Sequence, residues 1–265
     1  MKRQFWITAM LVFLFPIFGL SQSKIVKAAN DAFTHGEELK YKVKYNLYFN
    51  INVGLVNFKI ANESKNKLSA ECYNIISKGR TMNFYDNFFK VRDHYETYMA
   101  EQSLLPKLFI RRINEGGYTK TNNVKFYHDV KSAMNKDNEV IEIPPNTQDV
   151  VSALYYARTF DFENATVGDS LKFPLFIDNE VYEVGVKYMG KEVISTEFGE
   201  YKCLKIKPIL IAGRIFDSEE SMTLWVTDDA NKIPLRIESG ISVGAIRADL
   251  VDYENIRSDF MKKEH

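Results

Sequence analysis

Few side chains in this sequence stand in a pattern that could support catalysis. Asp228 and Asp229 are neighbouring carboxylates, and one of them could act as an acid or base if burial raised its pKa. They stand in the segment Asp-Asp-Ala-Asn-Lys, which is typical of a solvated turn. Ser152 lacks the Gly-x-Ser-x-Gly surroundings of a hydrolase nucleophile. Glu115-Gly116-Gly117-Tyr118 lacks the lysine and hydroxyl residue of a phosphate-binding loop and predicts a hairpin turn. We therefore expect no enzyme activity and assign no catalytic residue.

The two cysteines, Cys72 and Cys203, stand far apart in the chain. In an exported protein they could form a disulfide that closes a long loop. Alternatively, each is a small buried hydrophobic residue on its own strand. Neither the cysteines nor the four histidines have the spacing of metal ligands, so we expect no metal and no cofactor.

The charges balance, because 35 Lys and Arg residues face 35 Asp and Glu residues. This balance gives no indication of a nucleic-acid partner, and we expect none. Arg111 and Arg112, with Lys120 and Lys125, could form a small basic strip near an anionic head group. Exposed strand faces also carry such residues for solubility alone.

Residues 1–21 have the pattern of a secretory signal peptide. Lys2 and Arg3 precede an apolar run over residues 5–20, which ends at the small residues Gly19 and Ser21. The run is too short for a membrane span and contains Pro16. We therefore expect cleavage after residue 21, no transmembrane span after cleavage, and a periplasmic or secreted protein that we take to be a monomer. The predicted remainder is an N-terminal linker at 22–32, a single β-rich domain at 33–254 and a C-terminal tail at 255–265.

Along the mature chain, hydrophobic residues recur with a period of two. Apolar residues alternate with Lys40, Lys42 and Lys44 over residues 39–49, which predicts a strand with one wet face, followed by a turn at 50–54. Further strands are predicted at 55–60, 68–77, 91–99, 109–113, 118–127, 139–143, 170–176, 180–190, 191–195, 201–208, 220–227, 234–239 and 245–253. A flat sheet of this size would be unusual. The fold class predicted is mainly β: a large curved antiparallel sheet, half-barrel or barrel-like, with one or two short helices.

Two segments break the alternation and predict the helices. Residues 80–89 place Phe84, Tyr85, Phe88 and Phe89 at helical spacing, a stripe that we expect to be too aromatic to face water. The second helix is predicted at 147–159, capped by Asn146 or Thr147, with Tyr155 on its apolar side. Both helices are expected to cover the concave face or the ends of the sheet, where their aromatic rings are either core or the lining of a pocket.

Five segments resemble those of the domain of unknown function 3108 family of exported bacterial proteins. They are Gly36-Glu37-Glu38-Leu39-Lys40-Tyr41, Val91-Arg92-Asp93-His94-Tyr95-Glu96-Thr97, Gly199-Glu200-Tyr201-Lys202-Cys203-Leu204-Lys205-Ile206-Lys207-Pro208, Leu224-Trp225-Val226-Thr227-Asp228-Asp229 and Pro234-Leu235-Arg236-Ile237. The resemblance covers about residues 33–252 and implies export and a β-rich fold, but no catalytic residue. The last two segments are also similar to periplasmic lipoprotein-carrier proteins, whose open barrels hold acyl chains. The arginine-defined signature of those carriers is absent here.

Three function classes remain open from the sequence, and a hydrolase with unrecognised residues ranks last because no nucleophile, metal set or carboxylate pair stands out. The first is binding of an apolar or amphipathic envelope ligand such as a lipid, with the candidate ligand-binding residues Trp225, Phe84, Tyr85, Phe88 and Tyr155. The alternative is an envelope assembly or scaffold protein that binds a protein or glycan partner through sheet edges or loops. A cavity of a few hundred Å³ lined by aromatic residues would favour the first function, and a filled core the second.

Overall fold

The computed structural model describes residues 24–62, 71–209, 222–241 and 243–259. The predicted signal peptide lies outside the described residues, as do residues 68–70 and 220–221 of two predicted strands. The strands, in chain order, are β1 Val26–Lys27, β2 Glu38–Asn46, β3 Asn50–Ile60, β4 Cys72–Thr81, β5 Arg92–Ala100, β6 Pro106–Glu115, β7 Tyr118–Tyr127, β8 Ser132–Met134, β9 Val140–Glu142, β10 Phe160–Asp161, β11 Ser170–Ile177, β12 Glu180–Thr196, β13 Gly199–Ile209, β14 Met222–Thr227, β15 Pro234–Gly240 and β16 Ala245–Glu254. The one α-helix of the described residues, α1, is Val150–Ala157, and short 3-10 turns occur at Tyr85–Asn87 and His128–Val130.

Fourteen strands of the described chain form one antiparallel sheet. Its order is β11-β12-β13-β14-β15-β16-β2-β3-β4-β5-β6-β7-β8-β9, so the pairing of β16 with β2 joins strands from both sides of α1. The predicted fold class is confirmed: the protein is mainly β, with a large antiparallel sheet and one helix.

The sheet curls without closing into a barrel. Its edge strands β9 and β11 do not pair with each other. Instead, Gln148, shortly after β9, forms a parallel bridge to Leu175 on β11. The Gln148 amide donates to the Pro174 carbonyl at 2.9 Å, and the Phe176 amide donates to the Gln148 carbonyl at 2.8 Å. The two edges of the sheet therefore approach each other through a short loop.

Two strand predictions were wrong in detail. The turn expected at 50–54 lies at Leu47–Phe49, because apolar residues at 47 and 49 continue the alternation beyond the end of β2. The strands expected at 180–190 and 191–195 form the single strand β12, which has a bulge between Tyr188 and Lys191. Gly190 has a φ of +102° there, a conformation that glycine adopts without strain.

The second predicted helix exists, but it begins later than expected. Asp149 caps α1, because its Oδ1 accepts hydrogen bonds from the amides of Val151 (2.8 Å) and Ser152 (2.9 Å). The Ser152 hydroxyl accepts in return from the Asp149 amide at 2.8 Å, which completes a capping box. Thr147, one of the two caps expected, instead donates to the Pro144 carbonyl at 2.6 Å and stabilises the preceding turn.

The first predicted helix, residues 80–89, was wrong. Strand β4 continues to Thr81, and only the 3-10 turn Tyr85–Asn87 follows. Asp86 accepts hydrogen bonds from the Thr81 hydroxyl at 2.6 Å and from Arg92 Nη2 at 2.5 Å, so both ends of the connection are tied to the strands. The connection is thus held as a short loop, and Phe84 and Phe88 of its aromatic stripe are exposed.

The core around α1 includes a buried ion pair. Arg158 donates from Nη1 to Glu37 Oε1 at 2.6 Å and from Nη2 to Oε2 at 2.8 Å. Its remaining donors reach the Ala32 and Asn231 carbonyls, both at 3.0 Å. The pair connects the helix end with the segment before β2 and the loop before β15.

The described part of the predicted linker packs against the domain. Val26 and Lys27 pair with β10, and Ile25 and Ala32 are buried in the core around α1. Cys72 and Cys203 are free thiols, each buried on its own strand. Burial raises the pKa of the Cys203 thiol to about 12. The alternative of two buried hydrophobic residues therefore describes the cysteines.

Candidate ligand-binding surface

Four neighbouring connections at one end of the sheet expose apolar side chains. They join β15 to β16, β2 to β3, β4 to β5 and β6 to β7, and these strands are consecutive in the sheet. We call this surface the aromatic rim; its members are Leu47, Tyr48, Phe49, Ile51, Met82, Phe84, Phe88, Phe89, Tyr118, Ile241 and Val243. Single exposed apolar residues are ordinary, whereas a contiguous set of this kind marks an interaction surface.

Backbone hydrogen bonds connect the parts of the rim. The Met82 amide donates to the Val53 carbonyl at 2.9 Å, which joins the β4–β5 loop to β3. The Gly116 amide donates to the Lys90 carbonyl at 2.8 Å, which joins the β6–β7 turn to the same loop. A side-chain bond adds to these: the Tyr45 hydroxyl on β2 donates to the Val243 carbonyl at 2.9 Å, which joins the β15–β16 turn to β2. The rim is therefore one surface rather than four separate tips.

The rings of the β4–β5 loop contact one another and leave most of their surface in solvent. Phe84 is 69% exposed and Phe88 is 78% exposed, and their ring centroids lie 6.0 Å apart. Phe84 also contacts Tyr85 edge to face at 5.1 Å. The expectation that this stripe would be shielded from water was wrong, because the loop is tied down outside the core.

Phe89 packs over the turn between β6 and β7. A Cβ atom at Gly116 would lie 2.4 Å from the Phe89 ring, so only glycine admits this contact. Gly116 also has a φ of +57°, which favours glycine independently. The turn predicted at Gly116-Gly117 thus also positions one ring of the rim.

Tyr155 lies away from the rim, in the core beneath α1. It contacts Phe33 edge to face at 5.0 Å, and the Arg158 guanidinium lies 5.1 Å from its ring centroid. Burial raises the pKa of its hydroxyl well above the ordinary value. Of the five candidate residues, Phe84, Tyr85 and Phe88 share one loop, whereas Tyr155 is packed elsewhere.

Trp225 is also remote from the β4–β5 loop, which carries Phe84, Tyr85 and Phe88. Its cross-strand partners are Lys205 and Arg236, so these three residues share one face of the sheet. The Lys205 Nζ lies 5.6 Å from the centroid of the Trp225 ring and 2.8 Å from Glu192 Oε2. The indole is thus partly covered by a paired lysine.

Two clefts bear on the expected pocket. An almost purely apolar cleft between α1 and β12–β15, lined by Leu154, Val186, Ile206, Leu224 and Val226 among others, holds about 40 Å³. Typical small-molecule sites measure roughly 300–1,000 Å³. A larger open cleft of about 470 Å³ is lined by residues of 100–107 and 125–129 and contains none of the five candidate residues.

The polar candidates divide between the two faces of the sheet. Arg111 and Lys120 both bind Asp178 of the β11–β12 turn, whereas Arg112 lies on the opposite face by strand alternation. The single basic strip considered from the sequence therefore does not form. Among the described residues, no three His, Cys, Asp or Glu side chains are placed to hold a metal ion. The part of the chain that the structure describes contains no helix of the length and apolarity that a membrane crossing requires.

The model of a family described as Protein of unknown function (DUF3108) matches residues 40–251. The chain belongs to this family. This match confirms the family that was predicted from the sequence of this DUF3108 protein. No curated protein matches the chain.

This DUF3108 protein is similar to several solved structures. A β-barrel-like protein of domain of unknown function DUF1849 from Brucella abortus has a TM-score of 0.56 at 12% identity and covers 85% of this chain and 99% of its own. A candidate lipoprotein of Parabacteroides distasonis has a TM-score of 0.37 at 14% identity and covers 86% of this chain and 100% of its own. A candidate exported protein with a YmcC-like fold from Bacteroides fragilis has a TM-score of 0.32 at 11% identity, with the same coverages. The similarity to the Brucella protein concerns the fold alone.

Most of the rim escaped prediction from the sequence. Leu47, Tyr48 and Phe49 are consecutive apolar residues, and such a run cannot alternate between a wet and a dry face. In the structure, Tyr48 is 86% exposed and Phe49 is 79% exposed. The break in alternation was the signal that could have located this turn.

Proposed function

We propose that this DUF3108 protein is a non-enzymatic, exported protein of the cell envelope that binds an apolar or amphipathic ligand, such as a lipid, at the aromatic rim. The observation that carries the proposal is the contiguous exposure of the rim's apolar side chains on four neighbouring connections. Removing such side chains from water is favourable by roughly 25 cal/mol per Å² of apolar surface. A ligand that covers several rings at once would therefore be bound by the hydrophobic effect.

The site that we propose is a surface, not an enclosed pocket. The volume of the apolar cleft beside α1 is far below that of a typical ligand site. The rings of the rim are already exposed, so a ligand can contact them without a rearrangement of the protein. Residues 1–21 would direct export as a signal peptide. Their cleavage would leave a mature N-terminus near Gln22.

The alternative function, a scaffold for envelope assembly, is supported by a different observation. The interior around α1 is filled by side chains, and a protein or glycan partner would also cover an exposed rim. The two functions differ in what contacts Phe84 and Phe88.

Binding of an apolar probe tests the proposal. The mature protein is titrated with the dye N-phenyl-1-naphthylamine, and lauric acid or lysophosphatidylcholine is added as competitor. We expect saturable dye fluorescence that both competitors displace. The variant F84S/F88S should bind the dye at least ~10-fold more weakly, since two exposed rings contribute on the order of 1 kcal/mol each.

The matched control is V130S/V167S, which removes two exposed valines away from the rim. This variant should bind the dye like the wild type. Equal binding by F84S/F88S and the wild type, or no saturable binding at all, would overturn the proposal.

A further inference from the structure

Directly below the aromatic rim, the outer face of the sheet carries a group of cations. We call this group the basic patch; its members are Lys78, Arg80, Arg92 and Arg112. Arg80 on β4 lies directly opposite Arg92 on β5 in the strand register. His94 on β5 lies opposite Lys78 on β4 and opposite Arg112 on β6. Strand alternation places these side chains on one face.

The basic patch keeps an excess of positive charge. Arg92 pairs with Asp86, and His94 with Glu96 at 3.2 Å. Within the described residues, the exposed Lys78, Arg80 and Arg112 have no carboxylate within ion-pair distance. Arg80 and Arg92 stand directly opposite each other, and Asp86 forms its ion pair with Arg92.

Asp93, an acidic residue of the same strand, points to the other face of the sheet. Asp93 lies between Arg92 and His94 in β5 and accepts a hydrogen bond from the Asn114 amide at 3.0 Å. Thr97, on the same face as Asp93, donates to the buried Asp149. The carboxylate of Asp93 is thus directed away from the cations of the basic patch.

The rim and the basic patch are adjacent. Arg80 precedes Met82 of the rim by two residues, and the exposed Lys90 directly follows Phe89. Aromatic side chains at the tips of loops, with cations one or two rungs behind them, match a bilayer surface. There, apolar groups enter the acyl boundary, and cations reach the phosphates just outside it.

We propose that the aromatic rim and the basic patch together dock this protein on the surface of a bilayer that contains anionic phospholipid. This inference rests on the proposed function, because it uses the same rim, and it adds the chemical class of the ligand and its physical form. The charge complementarity between Lys78, Arg80 and Arg112 of the basic patch and anionic head groups selects a membrane surface over an uncharged apolar partner.

Co-sedimentation of the mature protein with lipid vesicles tests this inference. One set of vesicles is pure phosphatidylcholine, and the other contains equal parts of phosphatidylcholine and phosphatidylglycerol. We expect binding to the anionic vesicles to be at least ~10-fold tighter, and to weaken as salt is added.

The variant K78Q/R80Q/R112Q should lose at least ~10-fold in affinity for the anionic vesicles without a fall in its thermal unfolding temperature, since it removes one of two like charges that lie directly opposite each other. The matched control K125Q/K187Q/K202Q removes three exposed lysines elsewhere on the sheet and should bind like the wild type. Equal loss in both variants would contradict the inference, because only bulk charge would then matter.

The outcomes separate this inference from the proposed function. If the protein binds the dye at the rim but neither kind of vesicle, the bilayer inference is overturned and the proposed function stands. If the protein binds neither the dye nor the vesicles, the bilayer inference and the proposed function are both overturned.

Discussion

Substitution of Glu37 by Gln should destabilise the protein strongly, because it leaves Arg158 buried without a countercharge. Glu37 is 0% exposed and Arg158 is 4% exposed, and the two side chains form a bidentate pair with bonds of 2.6 and 2.8 Å. In E37Q, one carboxylate oxygen becomes an amide donor that faces a guanidinium donor. The Ala32 and Asn231 carbonyls still accept from Arg158 but carry no full charge.

The expected loss is about 3–5 kcal/mol in the free energy of unfolding, the usual cost of breaking a buried pair on one side. Urea unfolding of the mature protein, followed by circular dichroism, measures it. The matched control is E183Q, which breaks the exposed Lys172–Glu183 contact and should cost less than about 1 kcal/mol. Equal losses in the two variants would refute the reasoning that burial makes the Glu37–Arg158 pair different.

Three further predictions concern single features of the fold. Burial raises the pKa of Asp149 to about 6 from its ordinary 3.8, so the folded state holds the proton of this carboxyl more tightly than the unfolded state does. The stability that the protonated carboxyl contributes is complete below about pH 4. As the pH rises through 6, up to about 3 kcal/mol of that stability is lost. Urea unfolding at several pH values should show this loss in the wild type and not in D149N; parallel curves would contradict it. G116A should destabilise the protein by about 1–3 kcal/mol and G117A by less, since both have positive φ but only Gly116 has a ring packed on it; equal thermal unfolding would disprove that contact. Cys72 and Cys203 should react with a thiol reagent only after denaturation, with both thiols titratable then, and a chain without titratable thiols would instead indicate a disulfide.

Strands with one wet face were the part of the fold that the sequence predicted best. Strand β7 begins and ends at the predicted residues 118 and 127, and buried and exposed residues alternate in it from Asn122 to Tyr127. Strand β8 has three residues, too few for a period to be recognised. The turn at Leu47–Phe49 was predicted too late in the chain, at residues 50–54. Hydrophobic periodicity gives the spacing of apolar residues but does not show whether another element covers them.

The candidate site was predicted only in part, for the same reason. Phe84 and Phe88 were selected because their spacing is helical, and they do lie on a candidate surface, but in a loop that faces water. Tyr155 and Trp225 were selected as aromatic residues on regular elements, and only the tertiary structure shows that Phe33 and Arg158 cover the first and Lys205 the second. Phe33 is far from Tyr155 in sequence and Lys205 is on a different strand from Trp225, so no local pattern encodes these contacts.

The most direct test of lipid contact at the rim is photo-crosslinking in the cell envelope. The full chain, with its own N-terminal segment, is expressed in a bacterial host with p-benzoylphenylalanine in place of Phe84, Phe49 or, as the control, Val130. After irradiation, mass spectrometry of the purified protein identifies the adducts. The account predicts phospholipid adducts at positions 84 and 49 and none at position 130. Adducts with protein alone at positions 84 and 49, or lipid adducts of equal yield at all three positions, would contradict it.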